Sequence, residues 1–272
     1  MGGLATVAFF LGVIAYSTAS TLFFLDLARQ GSPAPRGTWA PRVLGVAAAL
    51  HAVHVVTASL LLNRCPVESL HFGLSFSALV AVSAFLVLRR FGNLDAIGVL
   101  VGPMALTFLV GAEFVGVELA PDALVSRPLL AAHITANVLG VGFFVVAGAA
   151  GLLYLLQERR LRDKRAVVGS RLPSLDALDG ATHRLLLTGF PLLTFGVVTG
   201  AIFSRNLEAL AGAALARTLL GFATWFLVAG VLVLRRLAGV RGRRAAYGTV
   251  ASVLCVLLVV AVYAFRSGGH GS

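Results

Sequence analysis

Six histidines and eleven carboxylates are the groups in this 272-residue chain best suited to ligate a metal or move a proton. Most lie at the edges of long apolar runs: His71 and His183 each open one, and His270 is in the C-terminal tail. His51, His54 and His133 are different, because apolar sequence surrounds them. At about 1.5 Å per helical residue, His133 lies about 8 Å inside the run that begins at Pro128. His51 and His54, three apart and therefore on one helical face, lie about 14 and 18 Å from Arg42. His54 is the one nearer the level of His133. The ordinary account of such a ring is a neutral imidazole donating its N–H to a neighbouring helix, and Thr57 and Asn137 are available nearby. Three together point to a site, since ionisable groups inside a membrane are scarce by cost. Neutral imidazole nitrogens from opposed helices are the donors that axial haem ligation uses.

Other chemistries lack their partners. A proton relay calls for carboxylates at the midplane, and Glu113, the one acidic candidate, lies about 27 Å along its helix from Asp95. That places it near the far surface, where it reads as an interfacial carboxylate. Zinc or copper calls for cysteine or carboxylate at ligand spacing, and neither accompanies the three buried histidines. No Ser-His-Asp or Cys-His arrangement is legible, and Cys65 in "NRCPVES" has no partner in sequence. Cys65 and Cys255 fall in a loop and in an apolar run respectively, so free thiols are expected.

The elements that must position these groups are membrane spans. With 58% hydrophobic and 12% charged residues and a mean hydropathy of +0.94, the chain is too apolar for a soluble domain. A spanning helix needs about 20 apolar residues. Eight runs qualify, at about 4–27, 43–62, 70–88, 95–116, 128–156, 183–204, 214–234 and 245–265. Runs this long satisfy their backbone in lipid only as helices. The expectation is an all-α, polytopic membrane protein, one eight-helix domain over residues 1–272. Small residues four apart, Gly196 with Gly200 and Ala147 with Gly151, read as close helix packing.

The net charge of +11 does not point to nucleic acid, because the basic residues cluster between apolar runs. Seventeen of the 22 Lys and Arg fall on one side; Arg64, Arg127, Arg205, Arg217 and Arg266 are the other five. The richer side is read as cytoplasmic, giving both termini outside, in a bacterial cytoplasmic (inner) membrane. Its longest segment, residues 158–182, contains "RLPSLDALDGATHR", read as a short amphipathic stretch on the membrane surface or against helix ends. The basic loop over residues 158–171 is read as attracting lipid headgroups or, alternatively, as docking a soluble partner.

The residues also carry a resemblance. "LLAAHITANVLGVGFFVVAGAAGLLYLLQERRLR", "LPSLDALDGATHRLLLTGFPLLTFGVVTGAIF" and "RTLLGFATWFLVAGVLVLRRLAGVRGRRAA" resemble the cytochrome c assembly family of the CcsA type, in its HemX-like and YpjD-like branch. The similarity covers about residues 45–265, is strongest from 129 onward, and includes "PVESL" before the third run. It implies a membrane protein that handles haem for transfer or cytochrome c maturation. His133 matches the family's transmembrane histidine, and His51 and His54 compete for a second-helix histidine. The resulting expectation is haem b between His133 and His54 as axial ligands, with His51 the competitor. Arg217 and Arg127 are candidates for the propionates through bidentate pairing, although basic residues there also serve as interfacial anchors. Haem ligases of this family present haem on a tryptophan-rich WWD segment with two flanking histidines. Here the corresponding loop, "SRNLEALAGAALAR", has no aromatic residue and no histidine. Haem binding or transfer is therefore implied rather than complete ligase activity. HemX-like relatives imply an alternative, a membrane regulator of haem biosynthesis acting on glutamyl-tRNA reductase through its cytoplasmic loops. Implied partners are thus haem, membrane lipid, and either cytochrome c maturation proteins or that reductase.

Overall fold

The computed structural model describes residues 3–28, 39–62, 70–115, 128–163, 172–203 and 213–268. Eight long helices fill them: α1 (Gly3–Ala28), α2 (Trp39–Leu62), α3 (Leu70–Leu88), α4 (Gly98–Val115), α5 (Pro128–Arg162), α6 (Leu175–Phe203), α7 (Ala213–Ala238) and α8 (Arg243–Gly268). All eight contain windows long and apolar enough to cross a membrane, and there is no strand among the described residues. The chain is an all-α, multi-pass membrane protein.

Helix faces follow lipid exposure. On α1, Ala5, Ala8, Gly12, Tyr16, Ala19 and Phe23 turn inward. Leu4, Val7, Phe10, Leu11 and Ile14 are exposed on the opposite side. Both stripes keep helical spacing, and both are apolar because the outer solvent is lipid. With no hydrophobic gain from helix association in lipid, closeness of packing must hold the bundle. Thus a Cβ on Gly98 would stand only 2.5 Å from the Phe23 ring, so α4 and α1 approach through a bare backbone there.

The helices form two groups. In one, α1 packs on α2 and α4, and α3 on α2 and α4; in the other, α5 packs on α6 and α8, and α7 on α6 and α8. The seam between them is α3 against α5. Gly73 approaches Val138, Gly142 lies under Val80 and the Ser77 carbonyl, and the Ser77 hydroxyl donates to the Val138 carbonyl at 3.3 Å. α5 is the most enclosed of the spans and α7 the least.

Two boundaries differ from the sequence reading. α6 begins at Leu175, so "LDALDGATHR" is its first turns rather than a separate surface stretch. Ser174 explains the start: its Oγ accepts the Ala177 N–H at 3.2 Å, an N-cap bond. Asp179 then pairs bidentately with Arg235 of α7, at 3.0 and 2.8 Å, and accepts the Gly242 N–H at 3.1 Å. Gly242 adopts φ +72°, and a Cβ there would meet the Tyr154 hydroxyl at 2.8 Å. Four helices are therefore tied at their basic ends. α5 also runs past the expected residue 156 to Arg162, where Glu158 pairs with Arg162 at 2.9 Å.

Candidate functional site

The polar groups inside the membrane collect away from that basic knot. His54 on α2 is 1% exposed; its Nδ1 lies 3.0 Å from the Ala5 carbonyl of α1 and its Nε2 3.3 Å from Glu113 Oε1 of α4. His71 near the start of α3 is also buried, with Nδ1 2.9 Å from the Ala112 carbonyl. A carbonyl oxygen only accepts, so both rings carry a proton on Nδ1, and the His54 Nε2 is turned to the Glu113 carboxylate. One donor atom each from His54, His71 and Glu113 lie within 4.8 Å of one another. The surroundings are apolar: Phe9 leans on the His54 ring and Phe72 meets the His71 ring edge-on.

This cluster corrects two expectations. Glu113 is not merely an interfacial group, and a carboxylate does accompany the buried histidines. His71 and Glu113 were missed because each stands close to the end of its span; what brings them together is the packing of α2, α3 and α4, which no periodicity marks. One signal was present: a carboxylate in a span with no basic residue near it requires a partner.

His51 lies deeper on the same face of α2, fully buried, with Nδ1 3.3 Å from the Tyr16 hydroxyl. Its Nε2 is buried without a hydrogen-bond partner.

His133 stands elsewhere, on α5 against α6. Thr199 donates its hydroxyl proton to the Phe195 carbonyl at 2.6 Å, leaving its oxygen to accept from His133 Nδ1 at 2.7 Å. His133 Nε2 therefore bears a lone pair, and it faces the Asn137 amide nitrogen at 3.2 Å. The same nitrogen donates to the His133 carbonyl at 2.8 Å. Gly196 and Gly200, read from sequence as packing residues, make the room: a Cβ on Gly196 would overlap the Asn137 amide, and one on Gly200 would stand 3.3 Å from the His133 ring.

The structure thus does not gather His133 with His54 or His51. α2 packs on α1 and α3, whereas His133 is held between α5 and α6, outside the His54 cluster. Arg127 lies outside the described residues, as does Cys65; Arg217 falls within α7, but its side chain is not among those described. Cys255 is a free thiol.

The family model described as Cytochrome C assembly protein matches residues 44–270. Among curated proteins, the chain is 27% identical over 199 residues to "Protein HemX" of Brevibacillus brevis, covering 72% of each. It is 22% identical over 249 residues to "Cytochrome c biogenesis protein CcsA" of Gloeothece citriformis, across 71% of this chain and 75% of that one. With the protein of the same name from Guillardia theta it shares 24% over 165 residues, 52% of this chain and 54% of the other. No solved structure gives a significant match.

Proposed function

We propose that this chain, which belongs to the cytochrome c assembly protein family, is a haem-handling protein of a bacterial cytoplasmic membrane that binds haem b within its bundle. The observation that carries this reading is His133. It sits in a span, and Thr199 accepts its Nδ1–H, leaving the Nε2 lone pair beside the Asn137 amide. That is the tautomer and orientation an iron ligand needs. The donor set passes the test of fit at this position. His133 is part-buried, and Gly200 of α6 leaves the space beside its ring that a Cβ would take, as Gly196 does for Asn137.

The fit is poorer at His54, which the sequence reading paired with His133. Its Nε2 already faces Glu113, with a second imidazole in the same small cluster, and a carboxylate there occupies space that a porphyrin would need. We therefore assign haem to His133 and keep Arg217 and Arg127 as its propionate partners. When bound, haem supplies an iron centre that can be passed on or reduced. The chain's own residues would orient it: Thr199 sets the His133 ring, and Asn137 lies beside its Nε2.

Full-length protein purified in detergent from haem-replete cells should carry a b-type haem spectrum, and His133→Ala should lose it. Colourless protein that also fails to bind added haem would overturn the assignment, as would a His133→Ala protein with undiminished haem. A second reading, a regulator of haem biosynthesis, is favoured by the extent of the match to HemX. It predicts an unpigmented protein whose basic loops retain a soluble partner from the haem-synthesis machinery.

A further inference from the structure

We infer that His54, His71 and Glu113 form a binding site for one divalent first-row transition metal ion of the zinc or ferrous class, distinct from the haem position at His133. Two imidazoles and one carboxylate, brought together from α2, α3 and α4 with their donor atoms within 4.8 Å of one another, are the basis of the assignment. The distances suit such an ion. Ligands about 2.0–2.1 Å from a tetrahedral metal lie about 3.4 Å from each other, and His54 Nε2 stands 3.3 Å from Glu113 Oε1.

A second observation is independent of that grouping. His54 Nε2 and Glu113 Oε1 are both buried and face each other at 3.3 Å with neither atom in a hydrogen bond of good geometry. Buried polar atoms left short of hydrogen bonds are costly. A cation between them would satisfy both. The Ser75 hydroxyl, one turn along α3 from His71, is likewise buried and unpartnered.

The orientation of the rings is also that of a metal site. Ligating histidines characteristically donate their other N–H to a carbonyl or carboxylate, and here the Ala5 and Ala112 carbonyls take both Nδ1 protons. Ala112 precedes Glu113 on α4, so one turn of helix supplies a ligand and the group that orients another. Nitrogen and oxygen donors without thiolate favour zinc or iron over the softer cuprous ion. Three protein donors leave a position open for water or a passing ligand.

The test uses full-length protein in detergent, stripped with a chelator and titrated with Co2+ as a spectroscopic probe, with Zn2+ in parallel. One equivalent should bind per chain, giving the visible bands of a low-coordinate cobalt site. Loss of an orienting partner alone typically weakens a metal site about 10–100-fold, so Glu113→Gln and His54→Asn should weaken binding by more than about 100-fold. His133→Ala should lose haem yet bind Co2+ normally, which separates a failure here from a failure of the haem assignment. Should the variants not fold, zinc-edge absorption on the unaltered protein decides, with two imidazoles expected in the first shell. Wild-type protein that binds no ion, Glu113→Gln that binds as wild type, or fewer than two imidazoles around zinc would overturn the inference.

Discussion

Replacing Gly196 by alanine sets two effects of opposite sign against each other. Gly196 lies inside α6, where helix propensity alone favours alanine by about 1 kcal/mol. The new Cβ would nevertheless overlap the Asn137 carboxamide, with Cγ and Nδ2 both at 2.9 Å. All three nearest atoms belong to that one side chain, so either Asn137 swings away or α5 and α6 separate. Swinging costs the bonds from Asn137 to the His133 carbonyl and ring, 2.8 and 3.2 Å long, at about 0.5–1.5 kcal/mol each. Separation costs about 1–3 kcal/mol as overpacking. The overlap outweighs the propensity, and Gly196→Ala should destabilise by about 1–2 kcal/mol net. In Asn137→Ala the obstructing atoms are gone, so adding Gly196→Ala on that background should stabilise instead. A double-mutant cycle in detergent unfolding should therefore give a coupling of about 2 kcal/mol or more. Additivity of the two changes, or a Gly196→Ala protein as stable as wild type, would refute the close α5–α6 contact on which the placement of His133 rests.

Two further substitutions probe different parts of the bundle. Thr199→Val keeps the shape but removes the oxygen that accepts the His133 Nδ1 proton, so haem affinity in titration should fall about 10–100-fold while the thermal midpoint changes little. Asp179→Ala leaves Arg235, whose side chain is 13% exposed, without its bidentate partner. Thermal unfolding should show a loss of about 2–4 kcal/mol, somewhat below the fully buried case, and Arg235→Met added to it should restore a part.

How much was legible depended on what each residue's role is written in. The eight spans were readable because lipid forces an apolar run of fixed length, and the bounds of α3 agree with the expected 70–88. The early start of α6 was harder. Asp176 and Asp179 look like surface charge in sequence, and only their company at a helix N-terminus, with Arg235 and the Ser174 cap, makes them part of the span. His133 was readable as an intramembrane histidine, but its true companions, Thr199 and Gly200, lie on another helix 66 and 67 residues along. Gly196 and Gly200 carried information that small-residue spacing alone reports only as packing. His71 and Glu113 were hidden by depth counting, which measures distance from a helix end and says nothing about what packs over it.

The register along the α3–α5 seam places the two proposed sites relative to each other. Gly73 meets Val138, and Ser77 meets Gly142. Both pairs are offset by the same number of residues, so the two helices run parallel and in step. Carried toward the start of each helix, that register sets His71 level with Ala136, and His133 three residues, or about 4.5 Å, beyond it. On that register His71 and His133 stand at similar height on neighbouring helices. Their separation arises from direction: His71 turns to α4, where Ala112 holds it, and His133 turns to α6, where Thr199 holds it. α3 and α5 form a common wall with one site on each outer side, tied by the Ser77 bond to Val138 and the near-contact of Gly142 with Val80.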